Sequence, residues 1–211
     1  LAFFLIIGCF KTHAQDDTIR IMEYNLLQLG DNSTSYDRID DHLKHILQYV
    51  KPDILLVNEV TQQVVANYIL SNALNVNGTT YYSKGVFNDA ASLNNAMFYN
   101  SDKLTLLSQD EISVSPRPAD GFHFYYNNDP YLSYHEDTVF LNTYVVHLKA
   151  GSESTDASQR TSAANTIRNV LDAKSDVRNY FIAGDFNLYE SSEDAYEALL
   201  DYGNCRFFDP L

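Results

Sequence analysis

Tyr180-Phe181-Ile182-Ala183-Gly184-Asp185-Phe186-Asn187 constrains this chain more than any other stretch. A short apolar run of strand-forming residues, Tyr180 to Ala183, leads into a glycine. Glycine permits a sharp turn or a close backbone approach. A carboxylate and a carboxamide follow at i and i+2, so in extended geometry both side chains leave the backbone on one side. The ionised carboxylate only accepts hydrogen bonds, whereas the amide both donates and accepts. An acid beside an amide at the mouth of a buried strand therefore suits an oxyanion or a hydrated divalent cation. The same residues also spell an Asx turn that simply closes a strand.

The chain has 211 residues, 45% of them hydrophobic, which is enough for one large α/β or β-rich domain. The formal net charge of −14 opposes tight, unspecific binding to a nucleic-acid backbone, because the Lys and Arg needed to displace counterions are scarce. It does not exclude a phosphoester substrate, since a bound cation inverts the local field. Leu1 to Phe10 is apolar and too short to span a bilayer. With Thr12-His13-Ala14 behind it, residues 1–14 read as a signal peptide whose start is missing, cleaved after Ala14. Secretion, or release to a periplasm, is the expectation. Ile6-Ile7-Gly8-Cys9 also resembles a lipobox, which gives a surface lipoprotein anchored through Cys9 as the alternative. The second cysteine, Cys205, is then left without a partner in this sequence.

From residue 18 onward, strands and helices alternate. Thr18 to Leu27 reads as a strand with Asn25 near its end. Ile39, Leu43, Ile46, Leu47 and Val50 recur at helical spacing, with Thr34 and Asp37 as a capping pattern and Pro52 as the stop. His42 and His45, at i and i+3 on that helix, fit a solvated face better than a metal pair. Asp53 to Val60 carries four consecutive apolar residues, Ile54 to Val57, and so predicts a strand buried on both faces. Glu59 sits just beyond them. A carboxylate there is costly unless it is paired or bound to a cation, or else it serves as an acid at the start of the next helix, Thr61 to Ala73.

Strands are expected at Thr79–Lys84 and Ala96–Asn100, and at Leu104–Leu107 with Glu111–Val114 as two pieces or one bent strand. Phe122 to Tyr126 is aromatic and β-prone, either core or a surface on which bases or sugars stack. Asn127 to Tyr134 reads as a loop. Asp137 to Lys149 is a long strand with His147 in step with Val139, Leu141 and Val145. A helix over Asp156–Ala173, with Ala163, Ile167, Val170 and Leu171 inward, precedes Tyr180. An acidic helix, Glu193 to Tyr202, follows the glycine-carboxylate stretch. Without internal repeats or linkers, the pattern predicts one domain over residues 16–211, with mixed sheets and helices outside them.

Asn25, Glu59 in Lys-Pro-Asp-Ile-Leu-Leu-Val-Asn-Glu, His147 in Val-Val-His-Leu-Lys, and Gly184-Asp185-Phe186-Asn187 stand in one order. In that order and spacing the chain resembles the endonuclease/exonuclease/phosphatase superfamily, over about residues 18–190. The resemblance implies a four-layered α/β sandwich, with two central mixed β-sheets flanked by helices and the site at the top of the sheets. It also implies cleavage of a phosphoester by in-line attack of water, dependent on Mg²⁺, with Mn²⁺ or Ca²⁺ suiting the same oxygen chemistry. Carried over residue by residue, Glu59 is the principal metal ligand with Asn25 beside it. Asp185 orients or deprotonates the water, Asn187 holds a phosphate oxygen, and His147 donates to the phosphate or assists the leaving oxygen.

That family closes on a further acid and an Asp-His pair, whereas no histidine follows Asn187 in this sequence. The chain is therefore expected to be a fragment lacking the C-terminal strands, and weakly active by itself. The implied partner is a phosphoester substrate, nucleic acid first, acted on by a monomer with no membrane span. Lipid or small-molecule phosphoesters are the same-fold alternative, and a surface binding module without chemistry is the alternative outside enzymes. A metalloprotease is excluded by the lack of H-E-x-x-H.

Overall fold

The computed structural model describes residues 18–32, 34–89, 91–127, 139–174, 179–200 and 207–208. Both N-terminal signals, Cys9, Cys205 and the Asn128–Tyr134 part of the aromatic loop lie outside the described residues. The first strand, β1 (Ile21–Leu29), pairs in parallel with β2 (Ile54–Val60). Between them, α1 (Ser35–Arg38), a π-helical turn (Ile39–Leu43) and α2 (Lys44–Val50) follow one another without a break. Lys51 ends this run in a left-handed conformation just ahead of Pro52. Then come α3 (Gln63–Ile69), which continues into a π-helical turn (Leu70–Leu74), and the antiparallel strands β3 (Tyr82–Lys84) and β4 (Asn94–Asn100).

These strands make a four-stranded sheet in the order β1-β2-β4-β3. A second sheet, β5-β6-β7-β8, is built from β5 (Leu104–Ile112), β6 (Ala119–Tyr126), β7 (Phe140–His147) and β8 (Asn179–Asp185). The crossover α4 (Ser154–Asp172) joins β7 to the parallel β8, and α5 (Asp194–Leu200) packs on α4.

The two sheets lie face to face. Ile54, Leu56, Met97, Phe122, Phe124 and Val145 are buried between them. The other face of the first sheet, including Leu55, Val57 and Phe98, packs under the helical residues Leu43, Leu47, Val65 and Ile69. The other face of the second carries Tyr144 and Val146 against Ala163, Ile167 and Leu171 of α4. The fold is thus a four-layered α/β sandwich, helix on sheet on sheet on helix, and strands apolar on both faces are what a doubly covered sheet requires. Ile54 to Val57 of β2 meets that demand with alternate residues in different layers, each fully buried.

Some local expectations hold and others change. Thr34 directly precedes α1 but makes no cap, its hydroxyl bonding to Asn32 instead (2.7 Å). The segment from Leu104 is one bent strand, with its register shifting between Leu106 and Ser108. Phe122 and Phe124 are core residues, so they offer no stacking surface. Val170 is 38% exposed and does not join Ala163, Ile167 and Leu171 in the core. His42 and His45 are both exposed on a solvated face.

Candidate active site at the sheet tops

The C-terminal ends of β1, β2, β7 and β8 converge on one edge of the sandwich, where β1 and β2 meet β7 and β8. Each contributes one of the residues singled out in the sequence. After Asn25 the β1–β2 register breaks, and Leu27 and Gln28 take left-handed backbone angles (φ 50° and 54°). This bulge turns two backbone donors inward. Leu27 N–H bonds to Asn25 Oδ1 (2.9 Å) and Gln28 N–H to Glu59 Oε2 (2.9 Å). Glu59 itself has φ 63°, a sparsely populated region for a residue with a Cβ, and such strain clusters at functional sites. Its carboxylate serves these contacts and not the start of α3, whose N-cap is Gln62.

The Asn25 amide donates to both Glu59 Oε1 (3.0 Å) and Asp185 Oδ2 (2.9 Å), so the two carboxylates face each other across it. His147 Nε2 lies 3.7 Å from Glu59 Oε1 and 3.9 Å from Asp185 Oδ2. Ligand atoms of Glu59, His147 and Asp185 all fall within 4.8 Å of one another. Asn187 stands at the border of this cluster. Its N–H closes an Asx turn on Asp185 Oδ1 (3.0 Å), and its amide donates to Leu148 O (3.1 Å). Strand and Asx turn are therefore both present, the strand ending at Asp185 and Asn187 taking φ 52°. Gly184 fits because it lacks a side chain. At φ 140°, a Cβ there would lie 1.9 Å from the Val146 carbonyl oxygen of the paired strand.

Four of the five residues are thus brought together, and the fifth adjoins them. The donor set is hard: two carboxylates and a carboxamide, with one imidazole. Such oxygen donors fit Mg²⁺, and in the structure the Asn25 amide hydrogens offset part of the charge between the acids, the task a cation performs in such a place. His147 is buried, and that burial, reinforced by Arg117, holds its pKa below the ordinary histidine value against the pull of Asp185 and Glu59.

Other residues of the site carry no signal in a linear reading. Asn58, fully buried, ties the sheets together. Its amide donates to Asn95 Oδ1 (2.7 Å) and Val146 O (3.0 Å), and its oxygen accepts from Asp185 N–H (2.9 Å). A polar residue interrupting a doubly buried strand was the one available hint. Arg117, between two prolines, donates to His147 O (3.1 Å) and Leu148 O (2.9 Å) and so fixes the chain leaving β7.

Asn95 passes the network on to buried Asp120 (2.8 Å), which also accepts from Asn88 (3.3 Å). Burial raises the Asp120 pKa above the ordinary carboxylate value, in spite of those two donors. The folded protein therefore binds this proton to higher pH than the unfolded chain does. Asp120 then contributes a loss of stability as pH rises from the ordinary carboxylate pKa through its raised folded one. Denaturant titrations over a pH series should show wild type losing stability relative to Asp120→Asn across that window. A pH-independent difference would refute the assignment.

A sequence profile described as the Endonuclease/Exonuclease/phosphatase family matches residues 22–208. Among curated proteins no sequence matches. Three solved structures show the same fold at low identity. A mannosyl-6-phosphatase of Bacteroides thetaiotaomicron superposes with a TM-score of 0.64 at 13% identity, over 87% of this chain and 70% of that one. A β-hairpin deletion mutant of beta toxin from Staphylococcus aureus gives 0.62 at 14%, over 88% and 74%. D. rerio TDP2, complexed with a single-strand DNA product, gives 0.56 at 14%, over 82% of this chain and only 62% of its own. With the profile running through all four strands that carry Asn25, Glu59, His147 and Asp185, the chain belongs to the endonuclease/exonuclease/phosphatase family.

Proposed function

We propose that this protein is a metal-dependent phosphodiesterase, and that nucleic acid is the substrate class to which it is suited. The observation that carries the reading is the Glu59–His147–Asp185 cluster, with Asn25 between its acids. Glu59 and Asn25 would hold Mg²⁺. When bound, the ion supplies positive charge to a phosphate oxygen, which suits a reaction that needs positioning and charge neutralisation more than covalent chemistry. Asp185 is fixed through its backbone by Asn58 and through its side chain by Asn25 and Asn187, which suits it to orient an attacking water and take its proton. Asn187 retains a second amide hydrogen for an equatorial phosphate oxygen. His147, whose pKa burial and Arg117 hold below the ordinary histidine value, donates from Nε2 to the phosphate or the leaving oxygen.

The single-strand DNA product held by D. rerio TDP2 supports nucleic acid, and the net charge of −14 favours short over long polyanions. The mannosyl-6-phosphatase keeps sugar phosphoesters as a competing class, and lipid phosphoesters stay beside them as the same-fold alternative. We place the protein outside the cytoplasm because of the apolar Leu1–Phe10 and its two alternative processing signals, and propose a monomer over residues 16–211. Among the described residues no helix is long and apolar enough to cross a membrane.

The test is hydrolysis of a single-stranded oligonucleotide, sphingomyelin, mannose 6-phosphate and bis-p-nitrophenyl phosphate, with Mg²⁺ and with chelator. Chelation is expected to lower turnover at least 100-fold and added Mg²⁺ to restore it, with the oligonucleotide the preferred natural substrate. Turnover that persists in chelator, or none on any substrate, would sink the proposal.

A further inference from the structure

Two residues beyond Asn187, Tyr189 is 63% exposed, unusual for so large a ring beside a candidate site. It lines, with Asp185 to Leu188, a cleft of about 470 Å³ that opens from the carboxylate cluster. The ring is not a loose surface residue. One face lies over the Arg160 guanidinium, 5.4 Å from its carbon to the ring centroid. Arg160 is only 1% exposed and is itself fixed. Its Nε and Nη2 grip Glu193 (2.8 and 3.0 Å), and its Nη1 donates to the carbonyls of Lys149 and Gly151 (2.9 and 2.8 Å). Glu193 also accepts the Tyr189 backbone N–H (2.9 Å). A buried ion pair with four of the five guanidinium N–H donors used thus anchors the backbone and one face of an aromatic ring whose remaining surface is open.

We infer that Tyr189 is a stacking platform for a planar base flanking the scissile phosphate, making the cleft a nucleobase subsite of the phosphodiesterase proposed above. Three features point that way. A ring already ordered loses little entropy on binding, so its contact energy appears as affinity. A cation under one face withdraws negative charge from the other, which then suits an electron-rich heteroaromatic ring better than a second cation. None of the residues lining the cleft is basic, so they supply no positive groove for a phosphate backbone, and recognition there rests on the base rather than on further phosphates. The subsite therefore favours short nucleotide esters over lipid phosphoesters, which present no ring to the platform. This inference deepens the proposed function and rests on it for the reaction, though not for the binding.

Two readouts separate the claims. A dinucleotide carrying 2-aminopurine, titrated in chelator, reports stacking by fluorescence quenching without any turnover. Tyr189→Ala is expected to weaken its binding about 5- to 50-fold, and Tyr189→Phe to recover most of the affinity. With Mg²⁺, kcat/KM is compared on a thymidine dinucleotide and on analogues abasic on either side of the phosphate. Tyr189→Ala should lose at least five times more on the base-bearing substrate than on one of the analogues. Equal losses on all substrates, or binding indifferent to residue 189, overturns the subsite. Tyr189-dependent binding with no phosphodiester cleaved would uphold it and overturn the reaction instead.

Discussion

Glu59→Gln is expected to lower metal-dependent phosphodiesterase activity about 1000-fold while leaving the apoprotein as stable as wild type or more so. The carboxamide matches the carboxylate in shape and still offers an oxygen to the Gln28 N–H, so the bulge of β1 has its acceptor; the bond from Asn25 Nδ2 is lost, a cost that relief of the charge repulsion offsets, and Asn25 keeps its bond to Asp185. What disappears is one of two negative charges that share a single amide group, Asn25 Nδ2, through bonds of 3.0 and 2.9 Å. Two like charges so close repel each other in the absence of a cation, a cost expected of a site suited to binding one. Loss of function without loss of stability is the signature of a binding residue, since a structural carboxylate would lose both. Thermal melts in chelator, beside initial rates across a Mg²⁺ titration, make the distinction. A variant that melts well below wild type, or one that keeps more than a tenth of the activity, would count against Glu59 as a metal ligand.

Gly184→Ala is expected to destabilise the fold by about 4 kcal/mol and to lower the melting temperature by about 10 °C. Two costs combine. The residue sits at φ 140°, which side-chain-bearing residues rarely adopt. The added Cβ would also meet backbone, with Val146 O at 1.9 Å and Val146 N at 2.8 Å, and backbone cannot rotate aside as a flexible side chain does. The register opposite this point pairs Val146 with Gly184 and His147 with Asp185, so any relief by moving the strands apart displaces two site residues together. Activity should fall along with stability, and cooling should not restore it. A stability loss within about 1 kcal/mol, by denaturant titration, would show that β7 and β8 do not need this close approach.

The elements that could be read from the chain are those fixed by local chemistry. Ile54 to Val57 announced a strand covered on both faces, because an unbroken apolar run of that length has no solvent side. Pro52 and the helical spacing of Leu43 and Leu47 set the end and inner face of the first helical run. Position in the sandwich decided between readings that residue character left open, and overrode one of them. Phe122 and Phe124 have the composition of a stacking surface, but β6 lies inside the second sheet, between β5 and β7, and turns them into the core. Val170 follows the helical pattern yet stays 38% exposed and outside the core that Ala163, Ile167 and Leu171 join.

The amino-acid order by itself singled out the candidates, Asn25, Glu59, His147 and Gly184-Asp185-Phe186-Asn187, because each lies in a short motif whose meaning is local. It did not settle their arrangement. Asn25 meets Glu59 across 34 residues and Asp185 across 160, and Asp185 is held by Asn58 across 127. Contacts at such separations exist only once two sheets stack with their strand ends level, and that alignment is set by the buried layer between them. Tertiary structure alone also imposed the left-handed backbone at Glu59 and made Asn58 the link between sheets. It left Tyr189 exposed above a buried Arg160, since burial and neighbours are properties of the packed molecule and not of any stretch of chain.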